Sequence, residues 1–238
     1  GDYDPTQTVV IDPVVTFVQY VGGSQSEDVV TGVDVDVSGG MYVTGRTRSF
    51  DLSPLHLSFD STFNGLVDAF VMKFDSATGS IVYSSYLGSP GNDSGYNVAV
   101  DSQGAAYVTG FTDSAMFPTT PGAYRQTYSG NTDGFVCKLA TNGASLEYST
   151  LFGGAGSDTP FDITVDGMGL ATVVGQTTSS DLETVGGTFD SVLNGSSDGF
   201  ALKLSATGGS LVQATYIGGT GPDLAKAASL TVDGDIVI

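Results

Sequence analysis

The chain has 238 residues, with 34 glycines, no tryptophan and only 14% charged side chains, a composition that buries a sizeable core as one domain and favours many short strands over helices. Seven Lys and Arg stand against 26 Asp and Glu, a net charge of −19, and such a surface repels nucleic acid and anionic lipid. No apolar run reaches the roughly 20 residues of a membrane span, the start GDYDPTQTVV lacks the basic and apolar regions of a signal peptide, and the single Cys137 has no internal disulfide partner.

In chain order, residues 1–13 read as an N-terminal extension and 14–22, ending in YVG, as a lone outer strand. GVDVDV then alternates Val33, Val35 and Val37 with polar residues, the period of a strand buried on one face. A glycine turn follows, then MYVTGRT, a long polar loop, DAFVMKF, a second glycine turn and SIVYSSYLG, which makes four strands over 27–89. The same order returns over 93–154 and 158–219, and 223–238 supplies the first two strands once more. Gly45, Gly110 and Gly175 close the matching stretches VDVSGGMYVTG, VDSQGAAYVTG and VDGMGLATVVG at an interval of 65 residues. No segment holds a helical period. Four antiparallel strands at a fixed interval predict an all-β fold, a β-propeller of four-stranded antiparallel blades, because one such sheet cannot bury both faces without neighbours. About three full blades are present, with partial blades at both ends. Propellers close with about 4 to 8 blades, so the chain reads as part of a larger propeller, a mature form or a piece of something longer.

The run YSSYLGSPGNDSGYNVAVDSQGAAYVTGFTDSAMFPTTPGAY, with DGFVCKLATNGASLEYSTLFGG downstream, resembles the bacterial SBBP β-propeller repeat, over residues 16–238. Thr172 and Val174 depart from the YVTG pattern in the third copy, and the last copy ends at DIVI. The resemblance implies a propeller of a secreted or cell-surface bacterial protein with a largely non-catalytic role.

Three sets of recurring residues are candidates for chemistry. Asp36, Asp101 and Asp166, with Asp233, stand just before a glycine, where a carboxylate accepts backbone amides and builds the turn; the dense ligand loop of a calcium site is absent there. Asp28, Asp93, Asp158 and Asp223 follow glycine-rich loops, one per blade, and are the better calcium candidates, with Asp34 as an extra ligand in the first blade. Lys73, Lys138 and Lys203 each lie five residues after Asp68, Asp133 or Asp198, on the opposite strand face, so each lysine is expected to reach between blades or to a carboxylate of the adjoining one.

His56 is the only histidine, and Cys137 aligns with Met72 and Leu202 as a packed strand residue, so no zinc set arises. No nucleophile elbow, Cys/His pair or phosphate loop is present, and the expectation is a chain that is not an enzyme. The long loops differ most between copies, and the shared Phe59, Tyr124 and Phe189 are expected to anchor them. Two readings stay open. One is an extracellular or cell-surface module, a structural, adhesive or protein-interaction element that meets other surface proteins or neighbouring domains. The other is a carbohydrate-binding propeller that uses the loops, through Tyr124 and Tyr128, or the axial pocket. A subunit of a strand-exchanged surface assembly is a third arrangement.

Overall fold

The computed structural model describes residues 18–25, 27–52, 57–231, 233 and 235–238, which form an all-β fold with no helix. The first sheet holds β1 (Val29–Val35), β2 (Met41–Thr47), β3 (Asp68–Phe74) and β4 (Ile81–Leu87). The second holds β5 (Asp93–Val100), β6 (Ala106–Thr112), β7 (Asp133–Leu139) and β8 (Leu146–Phe152), and the third β9 (Asp158–Val165), β10 (Ala171–Thr177), β11 (Asp198–Leu204) and β12 (Leu211–Ile217). In each sheet the strands pair antiparallel in chain order. A short hairpin, β13 (Ser229–Leu230) with β14 (Ile236–Val237), follows.

Burial explains the strand patterns. In β3 and β7 every residue but the lysine is buried: β7 lies between two sheets, while β3 meets the second sheet on one face and loop side chains, Leu52 and Phe63 among them, on the other. Each first strand carries a bulge, at Thr31, Tyr96 and Phe161, which re-aims one side chain and brings Tyr96 within 5.8 Å of the Phe161 ring. The bulge presses the first strand onto the second, and there the glycine of the YVTG pattern is required. A Cβ at Gly110 would stand 2.0 Å from Ser94 O, and one at Gly45 1.8 Å from Val29 O.

Successive sheets stack through their first strands: β5 lies against β1, β2 and β3, and β9 against β5, β6 and β7. Tyr42, Val71, Tyr83, Val98, Val108 and Phe135 fill the first interface. Tyr107, Val136, Tyr148, Ile163, Val173 and Phe200 fill the second. The ends of the stack are less covered. Val33 is 58% exposed where its counterpart Val98 is 3% exposed, a difference worth about 1 kcal/mol per side chain. One backbone joint recurs between sheets, since Asp93 N donates to Val67 O (2.8 Å), Asp158 N to Thr132 O (2.9 Å) and Asp223 N to Ser197 O (2.9 Å). The third of these docks the terminal hairpin segment as another sheet would dock.

Two expectations change. Residues 1–17 and His56 lie outside the described residues, and within the expected outer strand 14–22 residues 18–22 form no strand, with Val18 and Tyr20 exposed. Phe59 and Tyr124 do pack on the core, but Phe189 is 82% exposed. The first two rings lean on an interface with the next sheet, and no full sheet follows β12 among the described residues to receive the third.

Candidate functional site

Polar side chains gather at two places, the hairpin turns after the first strands and the junctions between sheets. At the turns, Asp36 Oδ1 accepts Ser38 N (3.0 Å) and Gly40 N (2.8 Å), Asp101 Oδ1 accepts Gln103 N and Ala105 N (both 3.0 Å), and Asp166 Oδ1 accepts Met168 N and Leu170 N (both 3.0 Å). The other oxygen meets a lysine: Lys73 Nζ stands 3.1 Å from Asp36 Oδ2, Lys138 Nζ 3.6 Å from Asp101 Oδ2 and Lys203 Nζ 2.8 Å from Asp166 Oδ2.

Each pair therefore lies within one sheet, not between sheets as the strand spacing suggested. Two successive hairpins set the third strand two places from the first, and the lysine reaches back across the second strand to the turn of its own sheet. Lys73 and Lys138 also lie 4.7 and 4.9 Å from the ring centres of Tyr42 and Tyr107, a contact the third sheet lacks because Thr172 stands there. Burial raises the Asp36 carboxyl, but hydrogen bonds from Ser38, Gly40, Lys73 and Tyr42 outweigh it and hold the group well below the usual carboxylate range. Tyr42 OH donates in addition to Gly104 O (2.8 Å), so the turn of one sheet is tied to the turn of the next.

At the junctions, the calcium candidates first act as loop builders. Asp28 accepts Gly23 N and Ser49 Oγ, Asp93 accepts Ser89 N and Ser114 Oγ, Asp158 accepts Gly154 N and Ser179 Oγ, and Asp223 accepts Gly219 N. They stand one to a junction and do not meet each other. Asp34 is not beside Asp28: its Oδ2 accepts Val100 N (2.8 Å) and ties β1 to β5. Asp162, on β9, ties in the same manner, accepting Asn97 Nδ2 from β5 and Ala228 N (2.7 Å) from the terminal segment.

What the strand-by-strand reading missed is a second carboxylate in each junction. Asp68, Asp133 and Asp198 open the third strands and are fully buried. The point where a Gly88 Cβ would stand lies 2.8 Å from Asp68 Oδ1 and 3.0 Å from Asp93 Oδ2; at Gly153 the distances are 3.1 Å to Asp133 Oδ1 and 2.6 Å to Asp158 Oδ2. Burial pushes Asp68 up to about 6, Asp93 to about 7 and Asp133 to about 6, and raises Asp158 as well. The amides of Asn64 and Gly65 both face Asp68, but only Asn64 N makes a hydrogen bond, to Oδ2 (2.8 Å). Oδ1 of Asp68, Asp93 and Asp133 has no hydrogen bond, although the Thr112 hydroxyl faces Asp93. The signal for these pairs was present: both aspartates recur every 65 residues and each opens a strand after a glycine-rich loop. Among the described residues, no three His, Cys, Asp or Glu converge as a metal-binding group.

Tyr124 and Tyr128 are half-buried and engaged. Tyr124 OH donates to Glu183 Oε2 (2.7 Å), its amide to Gly208 O (2.8 Å), and Tyr128 OH donates to Asn131 O (2.5 Å). Cys137 is buried beside Ser149, and burial pushes its thiol up to about 12. An open cleft of about 380 Å³ between the first two sheets is lined by Arg46, Arg48, Asn92, Phe111 and Asp113. The long loops carry exposed apolar side chains: Phe50, Leu57, Leu66, Met116, Phe189 and Val192.

No curated protein matches this chain. Residues 82–118, which run from β4 through the first junction to the loop after β6, match the family model of the SBBP beta-propeller repeat.

Proposed function

We propose that the chain is a non-enzymatic β-propeller module of a secreted or cell-surface protein, a structural and protein-interaction element that binds through its long loops. The observation that carries this is the division of labour between frame and loops. The recurring carboxylates and lysines are spent on turns and junctions, while the loops that differ between repeats expose Phe50 (64%), Leu66 (70%), Met116 (75%) and Phe189 (82%). Rigid, repeated sheets with variable apolar loop tips suit recognition of other surface proteins better than they suit chemistry. The ring itself is part of the proposal. The uncovered face of β1 is equivalent to the face of β5 that the first sheet covers, so further sheets, or neighbouring copies, complete the circle.

Adhesion of the purified chain to immobilised cell-envelope protein, compared with a Phe50→Ser, Met116→Ser, Phe189→Ser variant of unchanged circular dichroism, tests the reading. A loss of roughly tenfold or more in adhesion supports it, since apolar anchors dominate such contacts. Equal adhesion by both proteins, or none by either, counts against it. A second reading, a carbohydrate-binding propeller, draws on the cleft of about 380 Å³, which places Arg46, Arg48, Asn92 and Asp113 around the Phe111 ring. A glycan array separates the two: binding that Arg46→Ala and Phe111→Ala abolish, with Tyr124→Phe neutral, favours the cleft over the loops.

A further inference from the structure

The first two junctions differ at one place in the repeat. Tyr86 N, Leu151 N and Tyr216 N donate to the carbonyl oxygens of Asp60, Arg125 and Asp190 at 3.0, 3.0 and 2.9 Å, so these three residues are equivalent. In the second junction the Arg125 guanidinium donates to Gly153 O and opposes the negative charge of Asp133. In the first, Asp60 stands at that place and adds repulsion to Asp68. None of Asp60, Asp68 and Asp93 has a salt bridge among the described residues.

Oxygen atoms crowd together here. Asp68 is fully buried, its Oδ1 has no hydrogen bond, and the point where a Gly65 Cβ would stand is 2.8 Å from that oxygen, 2.7 Å from Ser89 O and 2.6 Å from Gly91 O. Gly91 O accepts Leu66 N (2.7 Å) and, at longer range, Val67 N (3.3 Å), while Ser89 O has only a long contact from Ser114 Oγ (3.4 Å). Three acceptors from two sheets, beside two more carboxylates, repel one another in a region poorly reached by water.

We propose that the first junction binds one calcium ion, with Asp68 as the anchoring carboxylate, the carbonyl oxygens of Ser89 and Gly91 as neutral ligands and Asp60 and Asp93 as flanking charge. The ion does there what the Arg125 guanidinium does in the second junction: it places positive charge between carboxylates and joins two sheets. Calcium suits the donors, which are all oxygen, partly backbone and set in loops that tolerate irregular geometry, where magnesium demands a tight octahedron. An ion that binds only the folded form stabilises it by mass action.

The test uses the whole chain, stripped with a chelator and titrated with CaCl2 by calorimetry at about pH 7.5 and ~0.15 M NaCl, with thermal unfolding followed in parallel. One saturable site per chain is expected, because at the third junction, where Asp190 stands, Asp198 Oδ1 already accepts Gly195 N (3.2 Å); binding is expected to be absent in Asp60→Arg and weakened at least tenfold in Asp68→Asn. Asp60→Arg, which copies the second junction into the first, is expected to unfold near the temperature of the calcium-loaded protein without calcium. No saturable binding by the folded chain, binding that survives Asp60→Arg, or a stabilisation reproduced by NaCl at equal ionic strength overturns the proposal. Should Asp68→Asn fail to fold, Asp60→Arg decides alone, since Asp60 is only half-buried in a loop.

Discussion

At Asp36 the two carboxylate oxygens divide the work: Oδ1 closes the turn and Oδ2 holds Lys73, whose ammonium lies over the Tyr42 ring. Removing the lysine strands a carboxylate of 5% side-chain exposure, so Lys73→Ala is expected to cost about 3 kcal/mol in urea unfolding. Lys203→Ala should cost about 1 kcal/mol less, because no ring lies under it. The junction aspartates have the opposite electrostatics. Asp68, Asp93 and Asp133 are raised in the fold, so their contribution is full below about pH 4 and is lost as pH climbs through 6 to 7. Asp36 and Asp166 are lowered, so theirs is lost only below the usual carboxylate range. In chelator, stability is therefore expected to peak near pH 5 and fall towards pH 8, by about 3 kcal/mol for a group shifted by two units. Asp60 and Asp93 face Asp68, and Arg125 and Asp158 face Asp133, so Asp68→Asn should flatten the alkaline slope while Arg125→Gln steepens it. A slope unchanged by either substitution would refute the assignment. The turn role of Asp36 was legible because an aspartate shortly before glycine is a local pattern. Its lysine partner was not, because Asp36 and Lys73 meet only after two hairpins have folded.

Among elements, the first strand of each sheet carries most of the information. Its alternation, its bulge and the glycine opposite are one device: the bulge at Tyr96 presses Ser94 O towards Gly110, and only a hydrogen fits between them. Gly110→Ala is expected to destabilise by about 2–3 kcal/mol, since the neighbour it meets is backbone and cannot swing aside, with the urea midpoint as the measure. Strand number and order were legible from periodicity and turn glycines, because both are local to a hairpin. The junctions were not, because Asp68 and Asp93 belong to different sheets and their approach depends on how sheets stack. Phe189 was misjudged for the same reason. Its counterparts are buried by the following sheet, and sequence alignment of the loops cannot tell which copy has one.

Across the whole molecule, stability divides into nearest-neighbour terms. The contacts between sheets run from each to the next, through β5 on the first sheet and β9 on the second, and the same backbone joint, Asp93 N to Val67 O, returns at Asp158 and Asp223. Such a stack behaves as a one-dimensional array, in which each unit is held by its own packing and by two interfaces. The acidic surface adds a uniform repulsion that salt screens, so the array should tolerate high salt well.

The recurrence of that joint makes 65 residues a unit of length that the fold itself recognises. Cutting out residues 93–157 would carry Asp158 to the place of Asp93, where Val67 O would receive its amide and the first sheet would receive β9 in place of β5. The shortened chain is expected to fold cooperatively with an antiparallel-sheet spectrum, and a deletion ten residues shorter or longer is expected to aggregate, as dichroism and size-exclusion chromatography would register. The same arithmetic applies to insertion. A chain segment of this length is expected to be copied or dropped without tearing either neighbour, because the joint between repeats stays the same whatever their number.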